Sequence, residues 1–302
     1  MTEASDVGRR HPWLGRVLVA GATGYLGQHL VERLAVDGAW VRALARRPEQ
    51  AKALDAASDV FIGQVTEPST LRGVADDIGT VFSSIGITRQ RDGVGYDDVD
   101  YGGNLALLRE AERAGVERFV YVSVLHGRDL RDRVRLAAAK ERFVDALRSS
   151  PIAGTVIRPP GYFSDMTAFL DMARKGRAYL LGHGDHRMNP ISGSDLARQC
   201  VDAARTGVDE LAVGGPDTLS HTEIARLAFT AAGTEPRLRH VPLGLARAAV
   251  AVATRVTPER VYGPLQFFVA VMGDDMVAPV SAGADHLAEF FRAEAERART
   301  TS

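Results

Sequence analysis

The chain has 302 residues, enough for one large α/β unit or two ordinary domains, with 45% hydrophobic and 25% charged residues. A net charge of −1 gives no bulk electrostatic case for binding nucleic acid or membranes. A single cysteine, Cys200, excludes an intramolecular disulfide and a thiolate-rich zinc site, and favours a reducing, cytoplasmic setting.

Residues 1–14 read as a polar tail without periodicity and without the apolar stretch of a secretory leader. Residues 16–20 form a short β-branched run that meets a glycine, as a buried parallel strand does. Helical spacing follows over 25–36, with Leu26, Leu30 and Leu34 on one face. Residues 40–45 are the second strand, and Pro48 opens the next helix at a favoured first-turn position. Runs at 60–62, 80–84 and 118–123 are strands three to five. Between the last two, 101–114 places Leu105, Leu108, Ala111 and Ala114 at helical spacing. A helix over 133–149 and a sixth strand over 153–158 follow. This alternation predicts a doubly wound parallel sheet with right-handed crossovers. Beyond Pro159-Pro160-Gly161, shorter strands near 178–181 and 211–213 alternate with helices, and the chain from Pro242 onward reads as wholly helical. Arg247 interrupts the apolar stretch 243–253, so no run approaches the roughly 18 residues of a membrane helix.

The stretch Gly21-Ala22-Thr23-Gly24-Tyr25-Leu26-Gly27 lies directly between the first strand and its helix. A pyrophosphate needs free backbone N–H groups at a helix N-terminus and room for close approach. Glycines supply the tight turn, that approach and the close helix–strand packing. The spacing is G-x-x-G-x-x-G rather than G-x-G-x-x-G, and the strand–turn–helix context marks it as a dinucleotide site. A purely structural turn is the alternative.

The end of the second strand selects the cofactor. It reads Leu44-Ala45-Arg46-Arg47-Pro48, with Arg46 nineteen residues after Gly27. A carboxylate there would accept from the ribose hydroxyls of NAD, whereas guanidinium groups pair with a 2′-phosphate. The expected cofactor is NADP, with NADPH preferred over NADH; solvated helix-cap arginines are the bland alternative.

These stretches, with Val99–Leu108, Arg118–Ser123, Ile157-Arg158-Pro159-Pro160 and 187–197, resemble the atypical short-chain dehydrogenase/reductases, in their NmrA-like, NAD(P)H-binding branch. The resemblance runs over about 15–290 and implies a Rossmann-type doubly wound sheet with a smaller, mostly helical C-terminal substrate-binding region. The expected division is a tail (1–14), an NADP-binding core (15–158) and a region (159–302) that completes the sheet and covers the substrate. It implies a phosphate turn of Gly21, Thr23, Gly24, Tyr25, Leu26 and Gly27, with Arg46 and Arg47 at the 2′-phosphate. Gln64 and Val65 would sit beside adenine, Gln64 replacing the usual acid. Ser83, Ser84, Ile85 and Ser123 would line the ribose and nicotinamide path, and Pro159, Pro160, Gly161, Tyr162 and Phe163 would lie by the carboxamide. Lys140 matches the family's active-site lysine, which contacts the nicotinamide ribose.

Two departures accompany the likeness. The superfamily's Tyr-x-x-x-Lys pair would place a tyrosine where this chain has Leu136. The usual serine after the fifth strand corresponds to Val124, one place beyond Ser123.

Lys140 is unusual without any resemblance. Only Lys52, Lys140 and Lys175 are lysines among 37 basic residues. Residues 136, 140, 144 and 147 share a helical stripe, apolar but for Lys140, so its ammonium is expected to be partly desolvated or to snorkel. Tyr162, at a strand's C-terminal edge, is the candidate proton donor, with core packing as its alternative. His126, Tyr96 and Tyr101 are weaker candidates, and His183 and His186 in a glycine loop fall short of a three-ligand metal set. The expected function is NADPH-dependent reduction of a carbonyl, quinone or activated C=C bond of a small organic molecule, with Lys140 and Tyr162 catalytic. A non-catalytic NADP(H)-binding sensor or interaction protein, or a redox epimerase or dehydratase, are the alternatives. No metal, nucleic acid or membrane partner is expected.

Overall fold

The computed structural model describes residues 15–87 and 93–301; the expected tail, 1–14, lies outside the described residues. The first half runs β1 (Arg16–Ala20), α1 (Tyr25–Val36), β2 (Trp40–Ala45), β3 (Asp59–Ile62), β4 (Thr80–Ser83), α2 (Asn104–Ala114), β5 (Arg118–Val122), α3 (Gly127–Leu130), α4 (Arg135–Arg148) and β6 (Ala153–Arg158). The second half adds α5 (Phe163–Arg174), β7 (Ala178–Leu181), β8 (Arg187–Met188), α6 (Gly193–Thr206), β9 (Glu210–Gly214), β10 (Leu219–Ser220) and α7 (His221–Ala232). It ends with β11 (Leu238–Val241), α8 (Leu243–Val256), α9 (Glu259–Met272), β12 (Val280–Ser281) and α10 (Leu287–Thr301).

Eight strands form one parallel sheet in the order β12-β9-β6-β5-β4-β1-β2-β3. Alternation along β1 sends Val17 and Val19 to one face and Leu18 and Ala20 to the other. The first face buries Leu26, Leu30 and Leu34 of α1 together with Leu196, Cys200 and Val201 of α6. The second buries Leu107, Leu108 and Ala111 of α2 together with Phe143, Val144 and Leu147 of α4. Both faces are covered, which is why the strands read as continuous apolar runs. A third apolar cluster joins α5, α7 and α10 through Phe163, Phe169, Ile224, Phe229 and Phe291. Two small sheets, β7–β11 and β8–β10, lie in this second half, while β9 and β12 extend the main sheet.

Two expectations are corrected. The chain after Pro242 is not wholly helical, because Val280–Ser281 pairs with Val213–Gly214 at the sheet edge. Both residues of that strand are exposed and it is too short to carry an alternating pattern. The helix expected from Tyr101 begins instead as a π-helical stretch, Asp97–Gly103, and becomes α-helical at Asn104. A π turn takes up an extra residue, which rotates the buried face onto Asn104, Leu107, Leu108 and Ala111. Among the described residues, no helix is long and apolar enough to cross a membrane.

Candidate active site

β1 and β4 are neighbours at the point where the strand order reverses, and ligands of doubly wound sheets bind outside the carboxyl ends of such strands. Gly21, following β1, has φ of +83°, and a Cβ there would lie 2.7 Å from Ser84 Oγ, just past β4. A Cβ on Gly27 would overlap the Gly21 carbonyl oxygen, so α1 reaches the turn only because residue 27 has no side chain. Gly24 is exposed at the turn, Thr23 and Tyr25 are half-buried, and Leu26 is packed in the core. α1 starts with no side-chain cap and no acid in its first turn, leaving its positive end open to an anion.

Arg46 and Arg47 are exposed after β2, their backbone N–H groups donating to Gln50 Oε1 at 3.1 and 3.2 Å. Neither guanidinium has an ion-pair partner among the described residues. After β3, the Gln64 side-chain amide donates to Glu67 Oε1 at 2.6 Å, and Val65 packs on Gly103, where a Cβ would lie 2.8 Å from it.

Ser83 is fully buried and donates to Asn104 Oδ1 at 2.6 Å, while the Asn104 amide donates to the Asp100 carbonyl at 3.0 Å. Ile85 is buried and Ser84 Oγ lies 3.4 Å from the Ala20 carbonyl it donates to. These contacts fix the π-helical stretch against the end of β4 and aim Asp100 at Lys140.

Lys140 occupies the expected apolar stripe, with Leu136, Val144 and Leu147 buried and its own side chain 12% exposed. Its Nζ lies 3.2 Å from Oδ1 of the fully buried Asp100, 3.5 Å from the Val122 carbonyl and 5.4 Å from the Tyr121 ring centre. Asp100 Oδ2 accepts from the Ile87 N–H at 3.2 Å. Burial raises the Asp100 carboxyl above its ordinary value, against the lowering pull of Lys140 and the Ile87 N–H. Gly86 is part of this arrangement, because a Cβ there would sit 2.6 Å from Asp100 Oδ1 and 2.9 Å from Lys140 Nζ. Asp100 was not among the residues singled out from the sequence.

Ser123 faces a different partner. Its hydroxyl donates to Glu141 Oε1 at 3.0 Å, and Arg158 clamps both oxygens of that buried Glu141 at 2.6 and 2.9 Å. Glu141 follows Lys140 in α4, so adjacent residues serve two separate buried ion pairs.

Tyr162 lies after Pro159, Pro160 and Gly161, its backbone N–H donating to Asp165 Oδ2 at 3.0 Å. Its ring is 5.8 Å from that of Tyr25, whose hydroxyl accepts from the Gly193 N–H at 3.0 Å. Burial raises the Tyr162 hydroxyl above its ordinary value, and the charge of Lys140 lowers it. Phe163 turns away into the C-terminal core, 5.5 Å from the Phe290 ring.

The geometry therefore brings the glycine turn, Tyr25 and Tyr162 together, and couples Tyr162 electrostatically to Lys140. Leu136, at the position of the superfamily tyrosine, is buried beside Tyr96 and Ala139 and offers no proton. A cavity of about 620 Å³ lies beside Tyr25, between α5, α6 and α10, with Phe163, Gly193, His286 and Phe290 in its walls. Lys140 and Tyr162 are not among the residues that line it. His126 is exposed 3.5 Å from Asp129, and His186 lies 3.4 Å from Asp275. Among the described residues, no three His, Cys, Asp or Glu side chains gather closely enough for a metal.

A family model described as NAD(P)H-binding matches residues 21–206, which contain the glycine turn, Lys140 and Tyr162. The chain belongs to the NAD(P)H-binding family. It is an atypical short-chain dehydrogenase/reductase, and its cofactor is a nicotinamide dinucleotide. A ceramide reductase of Caulobacter vibrioides is 31% identical over 236 residues, 76% of this chain and 74% of the relative. A maize chloroplast divinyl chlorophyllide a 8-vinyl-reductase is 29% identical over 255 residues, 78% of this chain, and the chain spans 63% of that relative's length. In fold, an NADPH-dependent quinone oxidoreductase of Escherichia coli, solved with NADPH, superposes with a TM-score of 0.70 at 18% identity. That likeness covers 92% of this chain and 99% of the other.

Proposed function

We propose that this family member is an NADPH-dependent oxidoreductase that reduces a carbonyl, quinone or activated C=C bond of a small organic molecule. The observation that carries the reading is Lys140, held 3.2 Å from a fully buried carboxylate at the carboxyl end of β4, where Gly86 approaches both groups. The glycine turn fits a dinucleotide, since Gly21 and Gly27 let the turn close against the end of β4 and the start of α1, whose N-terminus is left uncapped. When bound, the nicotinamide supplies a hydride to the substrate carbon. The open N-terminus of α1 holds the pyrophosphate. Arg46 and Arg47, unpaired within the described residues, take the 2′-phosphate. Lys140 orients the ribose, and Asp100 positions Lys140. Tyr162, whose hydroxyl feels the charge of Lys140, carries a proton to a developing alkoxide. Residues from 159 onward shape the substrate side.

The buried Leu136 and the raised Tyr162 hydroxyl favour quinone or conjugate C=C reduction, where water can deliver the proton. Leu136 also supports a second reading, a non-catalytic NADP(H)-binding sensor or interaction protein. A panel of quinones, enones and ketones, followed by loss of reduced-cofactor absorbance, separates the two. Turnover lost in Lys140→Met supports the enzyme, and tight NADPH binding without turnover across the panel refutes it.

A further inference from the structure

The α8–α9 hairpin leaves an unusual surface. No residue of α8 is buried, and the helix packs chiefly against α9. Leu245, Val252 and Val256 fall on one helical stripe, 63%, 59% and 72% exposed, with Ala249 between them. Val261, Leu265 and Phe268 form a second exposed apolar stripe along α9.

The charge along α8 and the chain leading into it is one-sided. Residues 236–258 contain Arg237, Arg239, Arg247, Arg255 and His240 and no acid at all. The segment therefore carries +4 from arginine in a chain of net −1, leaving the remainder at −5. None of these four arginines has a carboxylate partner among the described residues; Arg255 donates only to the Ala251 carbonyl, at 2.6 Å. In the preceding β7–β11 pair, Arg239 is in register with the exposed Tyr179, an aromatic suited to a headgroup layer.

We propose that this hairpin docks the protein on an anionic phospholipid bilayer, lying in the interface rather than crossing it. Arg255 flanks the exposed stripe of α8, and Arg247 lies on its opposite, polar side. Arginine combined in this way with exposed Leu, Val and Phe is the chemistry of an interfacial helix, which gains from apolar insertion and from anionic headgroups together. Nucleic acid would use the charge but leave the apolar stripes in water. The near-zero total charge hides this patch, because the remainder of the chain is acidic. The opposite, inner face of the hairpin contacts the candidate site: Gln266 of α9 accepts from the Arg135 N–H at 3.0 Å, and Gly263 packs on Tyr96, just before the Asp100 segment. The proposal is independent of the reductase reading, since its test needs neither cofactor nor substrate.

The test is flotation of the full chain with vesicles of phosphatidylcholine alone or mixed with phosphatidylglycerol. The expected result is binding to the anionic vesicles only, reduced at least tenfold by high salt, by Arg247→Glu/Arg255→Glu and by Leu245→Asp/Val252→Asp. These positions are exposed, and unchanged thermal melting verifies the fold. Tryptophan emission of Val252→Trp is expected to shift to the blue with anionic vesicles. Absence of flotation, or equal flotation by neutral vesicles at any salt, overturns the proposal. So does a stable dimer that dissociates in Leu245→Asp/Val252→Asp while the parent protein ignores lipid, because a second copy would then cover the face.

Discussion

Removing either member of the Lys140–Asp100 pair tests whether it is a buried, coupled unit. At 3.2 Å and an effective dielectric of about 20, the gross attraction is about 5 kcal/mol, much of it offset by desolvating both ions. The two single variants should differ. Lys140→Met strands a carboxylate with no solvent access and one N–H donor, costing about 3 kcal/mol. Asp100→Asn keeps an acceptor for Ile87 and leaves an ammonium that is 12% exposed, near the Val122 carbonyl and the Tyr121 ring, costing about 1–2 kcal/mol. The double variant removes both charges and should lose less than the sum, with a coupling of about 2 kcal/mol. Urea denaturation of the four proteins measures this. The pH dependence adds a signed check. In Lys140→Met the already raised Asp100 carboxyl rises further, so the folded state binds a proton that the unfolded state does not. The deficit should therefore shrink as pH falls towards the ordinary carboxylate range. A coupling within about 0.5 kcal/mol of zero refutes the pair as a buried unit.

Three further outcomes follow from the geometry. Gly27→Ala forces a Cβ onto the Gly21 carbonyl, so NADPH binding should be lost and stability reduced by about 2 kcal/mol or more, read by cofactor fluorescence and urea melts. Burial lowers buried His221 to about 4, so the unfolded chain takes up its proton first as pH falls below the ordinary histidine value. That costs up to about 3 kcal/mol of stability by pH 4, and Tm in His221→Phe should depend less on pH over that range. Tyr162→Phe should lower kcat for a ketone by about 100-fold while leaving NADPH affinity unchanged if Tyr162 is the proton donor. An unchanged kcat would assign the ring to packing against Tyr25.

The strand–turn–helix unit and the exposed arginine pair were legible because both are local. A glycine turn between strand and helix, and two arginines ending the next strand, are set by backbone geometry within a few residues. The stripe around Lys140 was legible for the same reason, as periodicity within one helix. Asp100 was not, because the acidic run Asp97, Asp98 and Asp100 reads as a solvated surface. Only the π-helical stretch and the Ser83–Asn104 hydrogen bond turn Asp100 inward, and those depend on a tertiary contact. The hydrogen bond of Ser123 to the Arg158–Glu141 pair was not legible either, because the members of that pair lie on different elements. The edge strand Val280–Ser281 escaped notice because two exposed residues have no periodicity.

The most direct measurement for the central claim is a fluorescence titration of the full chain with NADPH and NADH, repeated on Arg46→Ala/Arg47→Ala. NADPH should bind at least about tenfold more tightly than NADH, and the double variant should lose that preference while retaining its NADH affinity. Equal affinities for the two cofactors, unchanged by the substitutions, would contradict the account.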